Sequence, residues 1–124
     1  MSERKKRVLV VDDAMFMRKV LGDILARAGY EVCGEASNAD TAVRLYKELQ
    51  PDLVTLDIVM PGASGLECAR SLLAQDPKAK IIMVSALGQE SLIKEASDIG
   101  TAGFIVKPFK QNLVVDTLNG VLGA

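Results

Sequence analysis

Five short apolar runs, spaced at near-equal intervals, constrain this chain more than any other feature. They are Val8-Leu9-Val10-Val11, the more alternating Glu31-Val32-Cys33-Gly34-Glu35-Ala36, Leu53-Val54-Thr55-Leu56, Ile81-Ile82-Met83-Val84 and Phe104-Ile105-Val106. Their starts lie about 22 to 28 residues apart, which is room for one helix and two loops. Continuous β-branched runs suit strands covered on both faces, as in a parallel sheet. Between the runs the apolar period becomes helical. Met17, Val20, Leu21, Ile24, Leu25 and Ala28 form one stripe, stopped by Gly29. Asn38 suits the N-cap of a helix carrying Ala42, Leu45, Tyr46 and Leu49, ended by Pro51. Ser64 and Glu67 have capping-box spacing ahead of Leu66, Ala69, Leu72 and Leu73. Leu92, Ile93, Ala96 and Ile99 mark a fourth helix closed by Gly100, and Val115, Leu118 and Leu122 a fifth, weakened by Gly120. Strict alternation with right-handed crossovers predicts an α/β fold: a doubly wound (βα)5 three-layer sandwich around a five-stranded parallel sheet.

The chain of 124 residues fits one domain over 1–124, and a chain this size buries about two-thirds of its surface on folding. Residues 1–6 read as a basic, solvated N-terminal arm, and the last helix leaves no room for an appended output domain. With 49% hydrophobic and 25% charged residues the composition is globular, and a net charge of −1 argues against a broad nucleic-acid surface. No apolar run exceeds four residues, so neither a membrane span nor a signal peptide is expected, and a cytoplasmic location follows. The absence of histidine removes His-based acid–base catalysis, His-ligated metals and any role as a phosphohistidine donor. Cys33 and Cys68 have no zinc or CxxC spacing and are expected to be buried free thiols.

In open α/β sheets, ligands bind outside the carboxyl ends of the strands. Here the first strand is followed by Asp12 and Asp13, the third by Asp57, the fourth by Ser85 and the fifth by Lys107-Pro108. Alone, each has a bland explanation: a helix cap, a turn residue, a surface lysine. Their convergence on one sheet edge does not, because capping requires neither a paired Asp-Asp nor a lysine. Two carboxylates about 4 Å apart repel by roughly 4 kcal/mol at an effective dielectric near 20. Either one takes a proton or a cation binds. An all-oxygen set favours Mg²⁺ or Mn²⁺, which commonly completes its shell with phosphate. With a lysine and a hydroxyl opposite, the site suits phosphoryl transfer, and Asp57 can serve as nucleophile.

Val-Leu-Val-Val-Asp-Asp (8–13), Leu-Asp-Ile-Val-Met-Pro-Gly-Ala-Ser-Gly (56–65), Val-Ser-Ala (84–86) and Gly-Phe-Ile-Val-Lys-Pro-Phe (103–109) resemble the response-regulator receiver domain of two-component signalling, across essentially the whole chain. Asp-Asp-Ala-Met-Phe-Met-Arg (12–18) and Ser-Ala-Leu-Gly-Gln-Glu (85–90) resemble its stand-alone chemotaxis members in particular. The resemblance implies the flavodoxin-like strand order 2-1-3-4-5, an order already known for this family. It implies that Asp57 accepts a phosphoryl group from a histidine kinase of the chemotaxis type. It implies that Asp13, Asp57 and the backbone carbonyl of Val59 bind Mg²⁺, with Asp12 acting through water. Lys107, after a cis peptide bond to Pro108, would contact the phosphoryl oxygens. Ser85 and Phe104 would form the switch, altering the face of the fourth helix, fifth strand and fifth helix where a flagellar motor switch or other output protein docks. The chain would thus be a phosphoacceptor that assists its own phosphorylation and dephosphorylation, not an enzyme. Without the resemblance, Phe104 reads equally as a plain core aromatic.

The chain departs from the family pattern at Val59 and Leu87, where polar side chains often position the attacking water. A long-lived phosphoform and a separate phosphatase are therefore expected. Alternatives within the class include a phosphorelay intermediate. From other classes, a flavodoxin-like flavin carrier wants a Ser/Thr/Gly-rich phosphate loop where this chain has Asp12-Asp13-Ala14-Met15. An aspartyl phosphatase would carry Asp-x-Asp after its first strand, where the pair here is adjacent.

Overall fold

The computed structural model describes residues 4–123. Strands β1 (Arg7–Val11), β2 (Glu31–Ala36), β3 (Leu53–Leu56), β4 (Ile81–Ser85) and β5 (Gly103–Val106) alternate with helices α1 (Met15–Arg27), α2 (Ala39–Leu49), α3 (Gly65–Gln75), α4 (Glu90–Ile99) and α5 (Gln111–Leu122). All strand pairs are parallel, in the order β2-β1-β3-β4-β5. Both the expected architecture and the expected order are therefore present.

Strand side chains alternate between faces, and each face has its own core. Leu9, Val11, Val54, Leu56, Ile81 and Met83 pack with Ala42 and Tyr46 of α2, Leu66, Ala69 and Leu72 of α3 and Ala96 of α4. Val8, Val10, Leu53, Ile82, Val84 and Ile105 pack with Leu21, Ile24 and Leu25 of α1 and Val114 and Leu118 of α5. Every residue of β3 and β4 is buried, which explains their continuous apolar sequence. Edge strand β2 is half-exposed, and its register shifts between Val8 and Leu9.

Local signals hold in most places. Asn38 caps α2 by accepting from the Thr41 N–H at 2.8 Å. Ser64 accepts from the Glu67 N–H at 3.3 Å, the forward half of a capping box. Three expectations need correction. Ala28 is exposed because α1 has already ended there, so it closes the helix instead of extending its stripe. Val114, outside the expected stripe, is the fully buried residue of α5 beside Leu118. Cys33, on the edge strand, is only half-buried, whereas Cys68 is buried, and both are free thiols. Of the basic arm over residues 1–6, Arg4, Lys5 and Lys6 are exposed, and residues 1–3 lie outside the described residues. Among the described residues no helix is long and apolar enough to cross a membrane.

The order places β1 and β3 side by side at the centre, where successive connections leave in opposite directions. In sheets of this kind ligands bind beside that switch point, outside the carboxyl ends of the strands.

Candidate functional site

The residues that converge there are held by the sheet itself. Asp12, Asp57 and Lys107 each sit one position past their strand, and each N–H continues the ladder. The Asp12 N–H donates to Ala36 O at 3.0 Å, that of Asp57 to Val11 O at 3.1 Å, and that of Lys107 to Ser85 O at 2.9 Å. The functional side chains thereby share the rigidity of the central strands.

Asp12, Asp13 and Asp57 each present a carboxylate oxygen within 4.8 Å of the others. Asp12 and Asp57 are 1% and 7% exposed, and Asp13 faces solvent. The Lys107 ammonium bridges the two buried carboxylates, 2.8 Å from Asp12 Oδ2 and 3.2 Å from Asp57 Oδ2. The peptide bond between Lys107 and Pro108 is cis, as expected. Burial alone would lower the Lys107 pKa. The hydrogen bond to Asp12 and the charges of Asp57 and Asp12 outweigh it and hold the ammonium above its ordinary 10.5. The lysine therefore stays charged throughout the neutral range.

The other Asp12 oxygen, Oδ1, accepts from the N–H of Ala14, the N-cap residue of α1, at 2.9 Å, which fixes the chain's entry into that helix. Among the described residues Asp57 Oδ1 has only a long contact, 3.4 Å, from the Val59 N–H. Asp57 thus keeps an oxygen lone-pair side available beside exposed Asp13. An all-carboxylate donor set with one exposed member fits a hard divalent cation that retains water. Val59 itself is 58% exposed on the rim.

Ser85 is wholly buried at the end of β4, and its Oγ accepts from the Leu87 N–H at 3.1 Å. Phe104 pairs with Met83 across β4 and β5, two positions before the pair of Ser85 with Val106, so Phe104 and Ser85 lie on the same sheet face. Phe104 is half-buried against the core on that face.

Two contributors lie outside the set expected from sequence. Gly65 donates to Ile58 O at 2.7 Å, and a Cβ at Gly65 would lie 1.9 Å from Asp57 O. Only glycine lets the start of α3 press against the Asp57 carbonyl. Arg18 is the second. It stands in the Asp12–Arg18 segment, yet nothing in the spacing marks it as reaching back to Asp12.

The fold and this site together define a class: a doubly wound α/β protein whose switch point carries a lysine-bridged cluster of carboxylates. Residues 8–119 match the response regulator receiver domain, and the chain belongs to that family. It is 53% identical to the chemotaxis protein CheY of Thermotoga maritima over 116 residues, covering 94% of this chain and 97% of that protein. With CheY of Bacillus subtilis the identity is 47% over 116 residues, again covering 94% and 97%. A chain in the crystal structure of the CheX-CheY-BeF₃-Mg²⁺ complex of Borrelia burgdorferi has the same fold, with a TM-score of 0.92. That chain is 37% identical, and the match covers 94% of this chain and 88% of that one.

Proposed function

We propose that this chain is a chemotaxis response regulator that takes a phosphoryl group onto Asp57 from a phosphohistidine of a separate histidine kinase. The observation that carries this reading is the Lys107 ammonium set between Asp12 and Asp57, 2.8 and 3.2 Å from their oxygens, beside exposed Asp13. The chain contains no histidine, so it does not itself supply the phosphohistidine. Its similarity to CheY proteins over nearly their full length supports the chemotaxis role.

In the transfer, an Asp57 Oδ attacks phosphorus. An O–P bond forms, the N–P bond of the donor breaks, and the leaving imidazole nitrogen keeps the electron pair. Lys107 exchanges its contact with Asp57 for the phosphoryl oxygens while staying anchored on Asp12. Ser85 donates its hydroxyl to another of those oxygens. Asp13, Asp57 and the Val59 carbonyl would hold Mg²⁺, or Mn²⁺, with Asp12 acting through water. The bound ion would neutralise charge on the transferring group. The protein is consumed stoichiometrically as acceptor, so it is not an enzyme in the ordinary sense.

Movement of the Ser85 hydroxyl toward the phosphoryl group frees space on the face shared with Phe104, and the ring turns inward. This biases a bistable packing element through a new charge. The output face is α4–β5–α5, where Ile93, Val106 and Leu113 are exposed apolar side chains, at 37%, 40% and 48%. A flagellar motor switch protein is the partner this reading assigns to it, with a separate phosphatase to end the signal.

Intact mass after incubation with Mg²⁺ and acetyl phosphate tests the reading in wild type and Asp57→Ala. The expected result is gain of one phosphoryl group, labile to hydroxylamine, Mg²⁺-dependent and absent from the variant. No uptake of either the phosphoryl group or BeF₃⁻ would overturn it.

A further inference from the structure

Arg18 lies one turn into α1, with its side chain only 15% exposed. Its guanidinium is stretched between two elements. Nη1 donates to the main-chain carbonyl of Asp12 at 2.6 Å, and Nε donates to Glu35 Oε1 on β2 at 2.9 Å. The opposite side of the Asp12 backbone is held as well, because the Asp12 N–H donates to Ala36 O at 3.0 Å. The carbonyl that Arg18 grips belongs to the peptide unit joining Asp12 to Asp13. Fixing that carbonyl fixes the plane of the unit and hence the direction in which Asp13 leaves the strand.

This matters for Asp13 more than for its neighbours. Asp12 is held through both carboxylate oxygens, by Lys107 and by the Ala14 N–H. Asp57 is held by Lys107 and by the ladder. Asp13 is exposed, and among the described residues its carboxylate makes no hydrogen bond or ion pair, so its position depends on the backbone alone. A small hard cation tolerates little departure from octahedral geometry.

We propose that Arg18, oriented by Glu35, is the positioning residue of the acidic site: it clamps the Asp12–Asp13 peptide and so presets the exposed carboxylate for a divalent cation. The proposal rests on the cation-binding part of the function given above. The fork of the guanidinium is essential, because its two N–H groups reach two acceptors in fixed relative directions, which a lysine point charge does not reproduce.

Electrostatics separates this role from a simple charge effect. Removing a nearby positive charge should tighten binding of a cation. Loss of positioning should weaken it. Calorimetric titration with MgCl₂ at fixed ionic strength, without phosphodonor, distinguishes the two in wild type, Arg18→Met, Arg18→Lys and Glu35→Gln. The expected result is about tenfold weaker Mg²⁺ affinity for both Arg18 variants and a smaller weakening for Glu35→Gln. Arg18→Lys keeps the charge, so its weakening cannot come from charge. Tighter or unchanged binding in Arg18→Met, or wild-type affinity in Arg18→Lys, overturns the proposal. If Arg18→Met does not fold, the other two variants decide. Wild-type protein that takes up no Mg²⁺ overturns both this proposal and the metal site. Wild-type protein that binds Mg²⁺ but gains no phosphoryl group overturns only the phosphoacceptor role.

Discussion

At the residue scale, Lys107 is the side chain on which the site most depends. It is the counter-charge for two carboxylates that are both nearly inaccessible to water. Lys107→Met removes the charge and keeps the stem. The variant is expected to lose about 3 kcal/mol of stability at pH 7, because a buried pair has lost one partner. Urea midpoints of the variant and the wild type at pH 7 measure the loss. A lysine raised above 10.5 contributes fully below that value and loses its contribution only as pH rises through the folded pKa. Thr55 offers a contrasting case. It is 1% exposed on β3, and among the described residues its hydroxyl has no hydrogen-bond partner. Thr55→Val removes an unsatisfied group at constant shape and should stabilise the fold by about 1 kcal/mol. A lower urea midpoint for this variant would show that the hydroxyl is satisfied.

At the element scale, the loops at the carboxyl ends of the strands decide both geometry and chemistry. The β3–α3 connection folds back on itself, so that Gly65 meets the Asp57 carbonyl. Gly65→Ala would place a methyl 1.9 Å from that oxygen, and the obstacle is backbone, which cannot swing aside. The start of α3 must then shift. A loss of about 3 kcal/mol or more is expected in urea unfolding, together with weaker Mg²⁺ binding, because Asp57 moves with its carbonyl. Val59 and Leu87 lie two positions beyond Asp57 and Ser85, in the loops that follow β3 and β4. Both side chains are apolar and carry no hydrogen-bonding atom, so neither can orient a water molecule for attack on phosphorus. Val59→Asn combined with Leu87→Glu should shorten the life of the phosphoform by about tenfold, followed by intact mass after removal of acetyl phosphate. An unchanged lifetime would place control of hydrolysis elsewhere.

At the scale of the whole molecule, two cores on opposite faces of one sheet share the same central strands, so neither face can unfold while the other persists. Cys68 reports on this. It is 1% exposed on α3, and burial, then the charge of Asp40, raises its thiol from 9.0 to about 11. Labelling of Cys68 by a disulfide reagent at pH 8 should therefore wait on global unfolding, and its urea dependence should coincide with that of circular dichroism. Cys33, half-buried on edge strand β2, should label earlier, through local opening. Labelling of Cys68 well below the unfolding transition would mean that α3 opens alone. The thiol also sets an alkaline limit. Stability is intact below pH 9 and falls as pH rises from 9 to about 11, where only the unfolded chain gives up the proton.

The fold was legible because strand and helix periods are local properties. β-branched runs such as Ile81-Ile82-Met83-Val84 reveal a strand buried on both faces, and Asn38 announces its helix, without knowledge of any neighbour. The site was legible for a related reason. In a parallel sheet every strand ends at the same edge, so Asp12, Asp57, Ser85 and Lys107 could be gathered from their places after the runs alone. Local preference was weaker at the end of α1, where Ala28 closes the helix, and on the buried face of α5, where Val114 was missed. What tertiary structure alone decided are contacts across long separations in sequence. Lys107 finds Asp12 and Asp57, Gly65 is pressed on the Asp57 carbonyl, and Arg18 reaches across to Glu35 while gripping Asp12. Such contacts depend on distance and direction in space, which periodicity does not encode. Sequence by itself therefore determined which groups share the edge of the sheet, and packing determined which of them touch.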